Sequence, residues 1–342
     1  MVNNEPPVLD IDPPLVNSAN PWATTLDDLR SLYSCTSTGA VTTRTSLIGG
    51  FEHDPSKHQY VLFDAATHAA AKNASLNCLG YSPHTLETYL GFIKTISDEQ
   101  QQQEGQQKTA RPTKGFIVSV TGTPAEVAAS YRLVAAAQRH VALPLAVEVN
   151  LSCPNIPDKP PPAYSRDALA EYLAALSAAA AAASTNNGPA ADLPRIPFGL
   201  KTPPYTHAAQ FRALMDALAA TGTDASGMSP VSFLTATNTL GSCLVLSATG
   251  LDPVLPAPGV GGLGGAPLHP LALGNVATLR RMLDADPALA HMQVVGVGGV
   301  LDADGYRRMR SVGAAVVGVG TGLGLRGVSV FGEIEAGLGG LW

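Results

Sequence analysis

The chain has 342 residues, a formal net charge of −6 and 45% apolar side chains. That length fits one α/β barrel with insertions, and the apolar share is enough for a large core. The acidic balance offers no footprint for nucleic acid, and no apolar stretch reaches membrane-spanning length before Gly, Pro or Asn interrupts it.

The N-terminus, MVNNEPPVLDIDPP, is neither a signal peptide nor an arginine-rich transit peptide, so a cytoplasmic protein is expected. Behind an irregular segment of about residues 1–16, short β-branched runs alternate with Ala/Leu-rich ones. The pattern predicts strands at 39–45, 74–80, 114–122, 145–152, 197–204, 233–239, 292–300 and 314–321. Clear helices are predicted at 123–140, 165–183, 207–221 and 303–313. The Gln-rich run at 100–107 reads as a surface loop insertion. The alanine run at 178–183 reads as helix, because Ala is the best helix former. Strand–helix alternation implies parallel strands with right-handed crossovers, and eight such units close a (β/α)8 TIM barrel. The expected architecture is therefore α/β, one barrel domain over 1–342 with active-site loop insertions. An open doubly wound sheet is the competing arrangement.

Chemically capable residues gather at the C-terminal ends of the predicted strands. Arg44, Asn77, Ser119, Asn150, Cys153, Lys201 and Asn238 occupy such places, and glycine pairs end the last two strands. In a barrel these ends converge on one mouth, where active sites sit. Gly298 and Gly299 in VGVGGV, and Gly320 and Thr321 in VGVGTGLG, would let backbone N–H groups approach an anion. The last two strands are the usual phosphate site of a barrel, which favours a phosphorylated ligand such as flavin mononucleotide (FMN). Neither pair has the G-x-G-x-x-G form of a dinucleotide site. Lys201, in GLKTPPY, could neutralise a reduced flavin or form a Schiff base.

VNLSCPNIP places Asn150 and Asn155 on either side of Cys153 in a proline-stiffened loop. With Asn77 and Asn238 these amides suit a planar, polar, anionic heterocycle, and a thiol among them can serve as a general base. The other cysteines, Cys35, Cys78 and Cys243, form no CxxC pair, so neither a disulfide framework nor zinc is expected. The eight histidines show no metal-binding pattern and read as surface or helix-end residues.

Several of these segments match one family in its own order. NCLGYSP (77–83), NLSCPNIPDKP (150–160), PFGLKTPPY (197–205), NTLGSCLV (238–245), GVGGLGGAPLHPLALGNV (259–276) and VVGVGGV (294–300) closely resemble the class 1A dihydroorotate dehydrogenases. The resemblance runs from about residue 14 to about residue 335. It implies FMN-dependent oxidation of dihydroorotate to orotate in pyrimidine biosynthesis, by a cytoplasmic homodimer that passes electrons to fumarate. By the same resemblance Cys153 would remove the C5 proton, hydride would leave C6 for the flavin, and Arg44 would stand where the family has a catalytic lysine. Asn77, Asn150, Asn155, Asn238 and Thr239 would hold the substrate, with the backbone of Leu79, Gly80 and Tyr81 at its carboxylate. Lys201 and Asn150 would meet the flavin ring; Ala19, Asn20, Arg44, Gly265, Gly298, Gly299, Gly320 and Thr321 would line the rest of its site.

The chain departs from the family pattern at a few positions. Arg44 replaces a lysine, Asn20 a glycine and Thr239 a serine, and LIGGFEHDP (47–55) lacks a Lys-Arg-Glu run. Arg44 motivates a second reading, a paralogous flavin oxidoreductase acting on a different cyclic enone or imide. A Schiff-base aldolase using Lys201 and a non-catalytic phosphate-binding barrel are the remaining readings.

Overall fold

The computed structural model describes residues 5–69, 71–104, 114–152, 161–182, 193–221 and 227–342. In chain order the first elements are β1 (Leu15–Asn17), α1 (Leu26–Ser34), β2 (Ala40–Thr42), β3 (Tyr60–Phe63), β4 (Ala74–Asn77) and α2 (Leu86–Glu104). Then come β5 (Gly115–Val120), α3 (Pro124–Ala137), β6 (Leu145–Asn150), α4 (Arg166–Ala182), β7 (Phe198–Thr202) and α5 (Ala208–Ala220). The last part runs through β8 (Phe233–Ala236), β9 (Leu240–Leu244), β10 (Val260–Gly265), α6 (His269–Asp284), β11 (Gln293–Val297) and α7 (Ala303–Ser311). It ends with β12 (Val316–Val319), α8 (Thr321–Arg326) and α9 (Ser329–Leu338).

Eight parallel strands close a barrel in the order β1-β12-β11-β8-β7-β6-β5-β2. The period-2 alternation of strands sorts each residue to one of two cores. On β5, Phe116, Val118 and Val120 face the helices, and on β6 Leu145, Val147 and Val149 do the same. Their neighbours Ile117 and Ala146 face inward, with Phe233, Val295 and Val316. Leu9 and Ile11 join this inner layer and plug the floor of the barrel, where the Leu9 N–H donates to the Gln293 side chain at 3.2 Å. The helices begin with local signals: Thr123 and Glu126 form a reciprocal capping box at α3, ahead of Pro124, and Thr25 and Asp28 do so at α1.

The predicted fold stands, with its strand inventory corrected. The run at 74–80 is not a barrel stave: β4 lies in a separate antiparallel sheet, in the order β3-β4-β10-β9. The missing stave is β1, within what reads from the sequence as the edge of an irregular N-terminal segment. Only three residues long, LVN is too short to show a period. Of the loop predicted at 100–107, residues 100–104 instead extend α2, and 105–107 lie outside the described residues. Glutamine is nearly as good a helix former as leucine, and a preceding helix can carry such a run. The four predicted helices are present, with described ends within two residues of those predicted; the last three residues of 123–140 tighten into a 3-10 turn, and residue 183 lies outside the described residues.

Candidate functional site

The C-terminal ends of the barrel strands and one face of the antiparallel sheet enclose a cleft of about 1020 Å³, counted out to its open mouth. After β1, Ala19 and Asn20 line it; after β2, Arg44 does; β4 and the turn beyond it bring Asn77, Leu79, Gly80 and Tyr81. Asn150 ends β6, Lys201 lies on β7, and Asn238 and Thr239 follow β8. Gly265 ends β10, Gly298 and Gly299 follow β11, and Gly320 and Thr321 follow β12. Residues named from the sequence thus come together from nine strands. Cys153 and Asn155 lie outside the described residues. Asn77 reaches the cleft from the covering sheet, not from a barrel strand.

Among the described residues, no acidic side chain lines the cleft, while Arg44 and Lys201 bring two cations to it. The cleft therefore suits anions. Lys201, 3% exposed, donates to the Ser18 hydroxyl at 3.0 Å and sits 3.8 Å from the buried Glu148 carboxylate beneath the mouth. Arg44 is 9% exposed, and burial holds its guanidinium below the ordinary range without removing its charge. Its Nη2 donates to the carbonyls of Tyr81 at 3.1 Å and Gly80 at 3.4 Å, and its Nη1 points to Thr24 Oγ1 at 3.5 Å. Arg44 thereby staples the turn after β4 to the barrel. The same turn is held by Ser82, whose N–H donates to the Thr45 carbonyl and whose hydroxyl pairs with buried Tyr89.

Two amides lock each other, and a third is held by backbone. Asn238 Nδ2 donates to Asn150 Oδ1 at 3.2 Å and to Ser152 Oγ at 2.9 Å, and Asn77 Nδ2 donates to the Gly262 carbonyl at 3.1 Å. Asn20, in the place of a family glycine, needs no unusual backbone. Its φ is not positive, and its side chain bridges the Ser18 carbonyl and the Trp22 N–H at 2.7 and 2.9 Å.

The opposite wall is backbone. Gly298 and Gly299 have φ of +140° and +70°, and a Cβ on Gly299 would come within 2.6 Å of the Gly265 carbonyl oxygen. His269, at the start of α6, is buried here: its Nε2 accepts from Arg308 Nε at 3.1 Å, so its Nδ1 donates to the Gly298 carbonyl at 2.7 Å. That turns the carbonyl away and fixes the turn. These tight glycine turns beside a buried lysine fit a phosphate-bearing, ring-containing cofactor such as FMN.

Sequence reading missed several lining residues: Ser18, Thr45, Ser75, Trp22 and Tyr60. The hydroxyl-bearing residues carry no signal by type, and Tyr60 belongs to a strand absent from the sequence reading. Glu148 had a signal. It is a carboxylate inside the otherwise apolar LAVEV, two residues before Asn150, and so on the same inward face.

A closed parallel barrel with a glycine-turn cradle on one side of its mouth and cations and amides on the other defines a flavin-type oxidoreductase scaffold. The family model for dihydroorotate dehydrogenase matches residues 65–341. The chain is 30% identical over 326 residues to the dihydroorotate dehydrogenase (fumarate) of Trypanosoma cruzi, covering 94% of this chain and 87% of that one. It is 35% identical over 191 residues to the protein of that name from Trypanosoma brucei brucei, covering 55% of this chain and 52% of that one. A solved structure of DHODH from Eimeria tenella, in complex with ferulenol, superposes with a TM-score of 0.69 at 17% identity, over 95% of this chain and 80% of that one. The chain belongs to the dihydroorotate dehydrogenase family. No described helix is long and apolar enough to cross a membrane.

Proposed function

We propose that this protein oxidises dihydroorotate to orotate on bound FMN and passes the electrons to fumarate. One observation carries the reading: Asn77, Asn150 and Asn238 meet Lys201 and Arg44 in one cleft beside the glycine turns, with no acidic side chain lining it among the described residues. When bound there, FMN supplies the hydride acceptor. Lys201 would offer its ammonium to the flavin ring, and Gly298, Gly299, Gly320 and Thr321 would hold the phosphate end. The amides would pair with the donors and acceptors of the substrate ring and fix its orientation. Arg44 would act on the substrate carboxylate by holding the Gly80–Tyr81 turn in place. Cys153, three residues beyond Asn150 in the chain, would take the C5 proton as general base. A cytoplasmic homodimer is part of the same proposal, by extension from the family.

The purified protein should be yellow. Anaerobic dihydroorotate should bleach the flavin band, and fumarate should restore it. Cys153→Ala should keep the flavin and lower the rate of bleaching by roughly 10²–10⁴-fold. A yellow protein that dihydroorotate does not bleach would sink the substrate assignment.

Arg44 favours a second reading, a flavin oxidoreductase for a related cyclic imide. Its guanidinium is committed to the carbonyls of Gly80 and Tyr81, so the cleft near it is shaped differently from one holding a free lysine. The aldolase reading finds no support, because Lys201 is buried and engaged by Ser18 and Glu148.

A further inference from the structure

We propose that Glu148 is a positioning residue that sets, from beneath the site, both the direction of the substrate amides and the effective charge that Lys201 presents to the flavin. Glu148 is 3% exposed and belongs to none of the groups lining the cleft. It faces inward from β6, with Ser119 beside it in register on β5 and Lys201 two residues beyond its register partner Gly199 on β7, on the same face.

The argument rests on hydrogen-bond direction. A carboxylate only accepts. Ser119 Oγ donates to Glu148 Oε1 at 2.9 Å, which commits the Ser119 proton. The 2.9 Å contact between Thr45 Oγ1 and Ser119 Oγ must then have Thr45 as donor. Thr45 Oγ1, its own proton spent, accepts from Asn150 Nδ2 at 3.1 Å. The Asn150 amide is thus oriented with its nitrogen toward the barrel interior. Its Oδ1 faces the mouth, where it accepts from Ser152 N–H, Ser152 Oγ and Asn238 Nδ2 at 3.2, 3.0 and 3.2 Å. One buried carboxylate therefore orders a chain that ends on two amides at the mouth.

The same Oε1 lies 3.8 Å from Lys201 Nζ. At that separation in a buried setting the carboxylate offsets part of the ammonium's field. Lys201 is held by Ser18 on its other side, so it has little freedom to move away. Residue 148 is placed to tune the cofactor and the substrate site together, and that coupling is what a mere space-filling role lacks.

This inference rests on the reading of the cleft as an FMN and orotate site. A wild-type protein that is colourless, or whose flavin spectrum does not respond to orotate, would fail that reading before Glu148 is tested. Given a responsive wild type, two variants separate the arms. Glu148→Gln keeps the shape but adds donors and removes the charge. Bound flavin in E148Q should have a more positive midpoint potential than wild type, by dye-equilibration titration. Its orotate affinity, from the spectral perturbation, should fall about tenfold. Ser119→Ala cuts the relay and spares the Glu148–Lys201 pair. It should lose orotate affinity to a similar extent with the potential unchanged. A wild-type potential in E148Q overturns the tuning of Lys201, and wild-type orotate affinity in S119A overturns the relay. If E148Q fails to fold or hold flavin, Lys201→Met compared with S119A carries the test: loss of orotate affinity confined to K201M would overturn the relay.

Discussion

The two halves of the barrel mouth are made of different material. Toward β10, β11 and β12 the cleft is walled by backbone, with Gly265, Gly298, Gly299 and Gly320 presenting peptide groups and no side chains. Toward β2, β6, β7 and β8 it is walled by side chains, Arg44, Asn150, Lys201 and Asn238, each with at least one assigned hydrogen-bond partner. A backbone wall cannot be retuned by exchanging side chains, and at Gly265 and Gly299 it has no room for an added Cβ. A side-chain wall can be retuned one residue at a time. The departures at Arg44 and Thr239 both fall on the side-chain half, and Asn20 follows β1, which lies between β12 and β2 at the border of the two halves.

The largest effect should come from adding one carbon to the backbone half. In Gly299→Ala the new Cβ would lie 2.6 Å from the Gly265 carbonyl oxygen and 2.7 Å from His269 Cβ, at a φ of +70°. An alanine in that left-handed region costs about 1–2 kcal/mol before the collision is counted. We expect flavin occupancy after gel filtration to fall at least tenfold, with the barrel still folded by circular dichroism. Full retention of FMN would show that the glycine turns are ordinary turns and not a cradle.

A smaller effect is expected at Arg44, where the side-chain half has been altered. Arg44→Ala should loosen the turn from residue 79 to 81, raise KM for dihydroorotate roughly tenfold, and leave flavin content unchanged. Arg44→Lys is more informative because it introduces a group that titrates. Burial disfavours the charged form at this position, as the lowered value for Arg44 shows. A lysine, starting near ~10.4, would be shifted downward by the same desolvation. The charged form is then present at low pH and lost as pH rises through the depressed value, so R44K activity should decline at alkaline pH. Wild-type activity should not show that limb, because arginine keeps its proton throughout. Matching pH profiles would remove Arg44 from the substrate half.

What could be read from the amino acids follows the same division. The glycine pairs after the last two strands were legible because Gly-rich strand ends have few other uses. The amides and Lys201 were legible because polar residues in apolar runs demand a partner. The covering sheet was not legible as such. ASLN looks like any other stave, and only its pairing with β3 and β10 removes it from the barrel. β1 escaped because three residues show no period. Trp22 and Tyr60, which meet edge to face with centroids 5.2 Å apart at the rim of the cleft, depend on contacts between elements that no local pattern encodes.

The smallest effect should come from the seam where the halves meet. Ser75, on β4, pairs its hydroxyl with that of Thr321 at the start of α8, at 2.8 Å. Gly264 leaves room for this contact, since a Cβ there would come within 2.8 Å of Ser75 Oγ and 3.0 Å of Thr321 Oγ1. A neutral, half-buried pair of this kind contributes about 0.5–1.5 kcal/mol. Ser75→Ala frees the Thr321 hydroxyl, which is on the backbone half, while Asn77 on the same strand stays bonded to Gly262. FMN affinity should therefore weaken by about two- to tenfold, measured by equilibrium titration of the apoprotein, with orotate affinity of the reloaded enzyme unchanged. If orotate affinity fell as far as FMN affinity, the halves would be mechanically coupled through β4, and the covering sheet, not the barrel, would be the element that joins them.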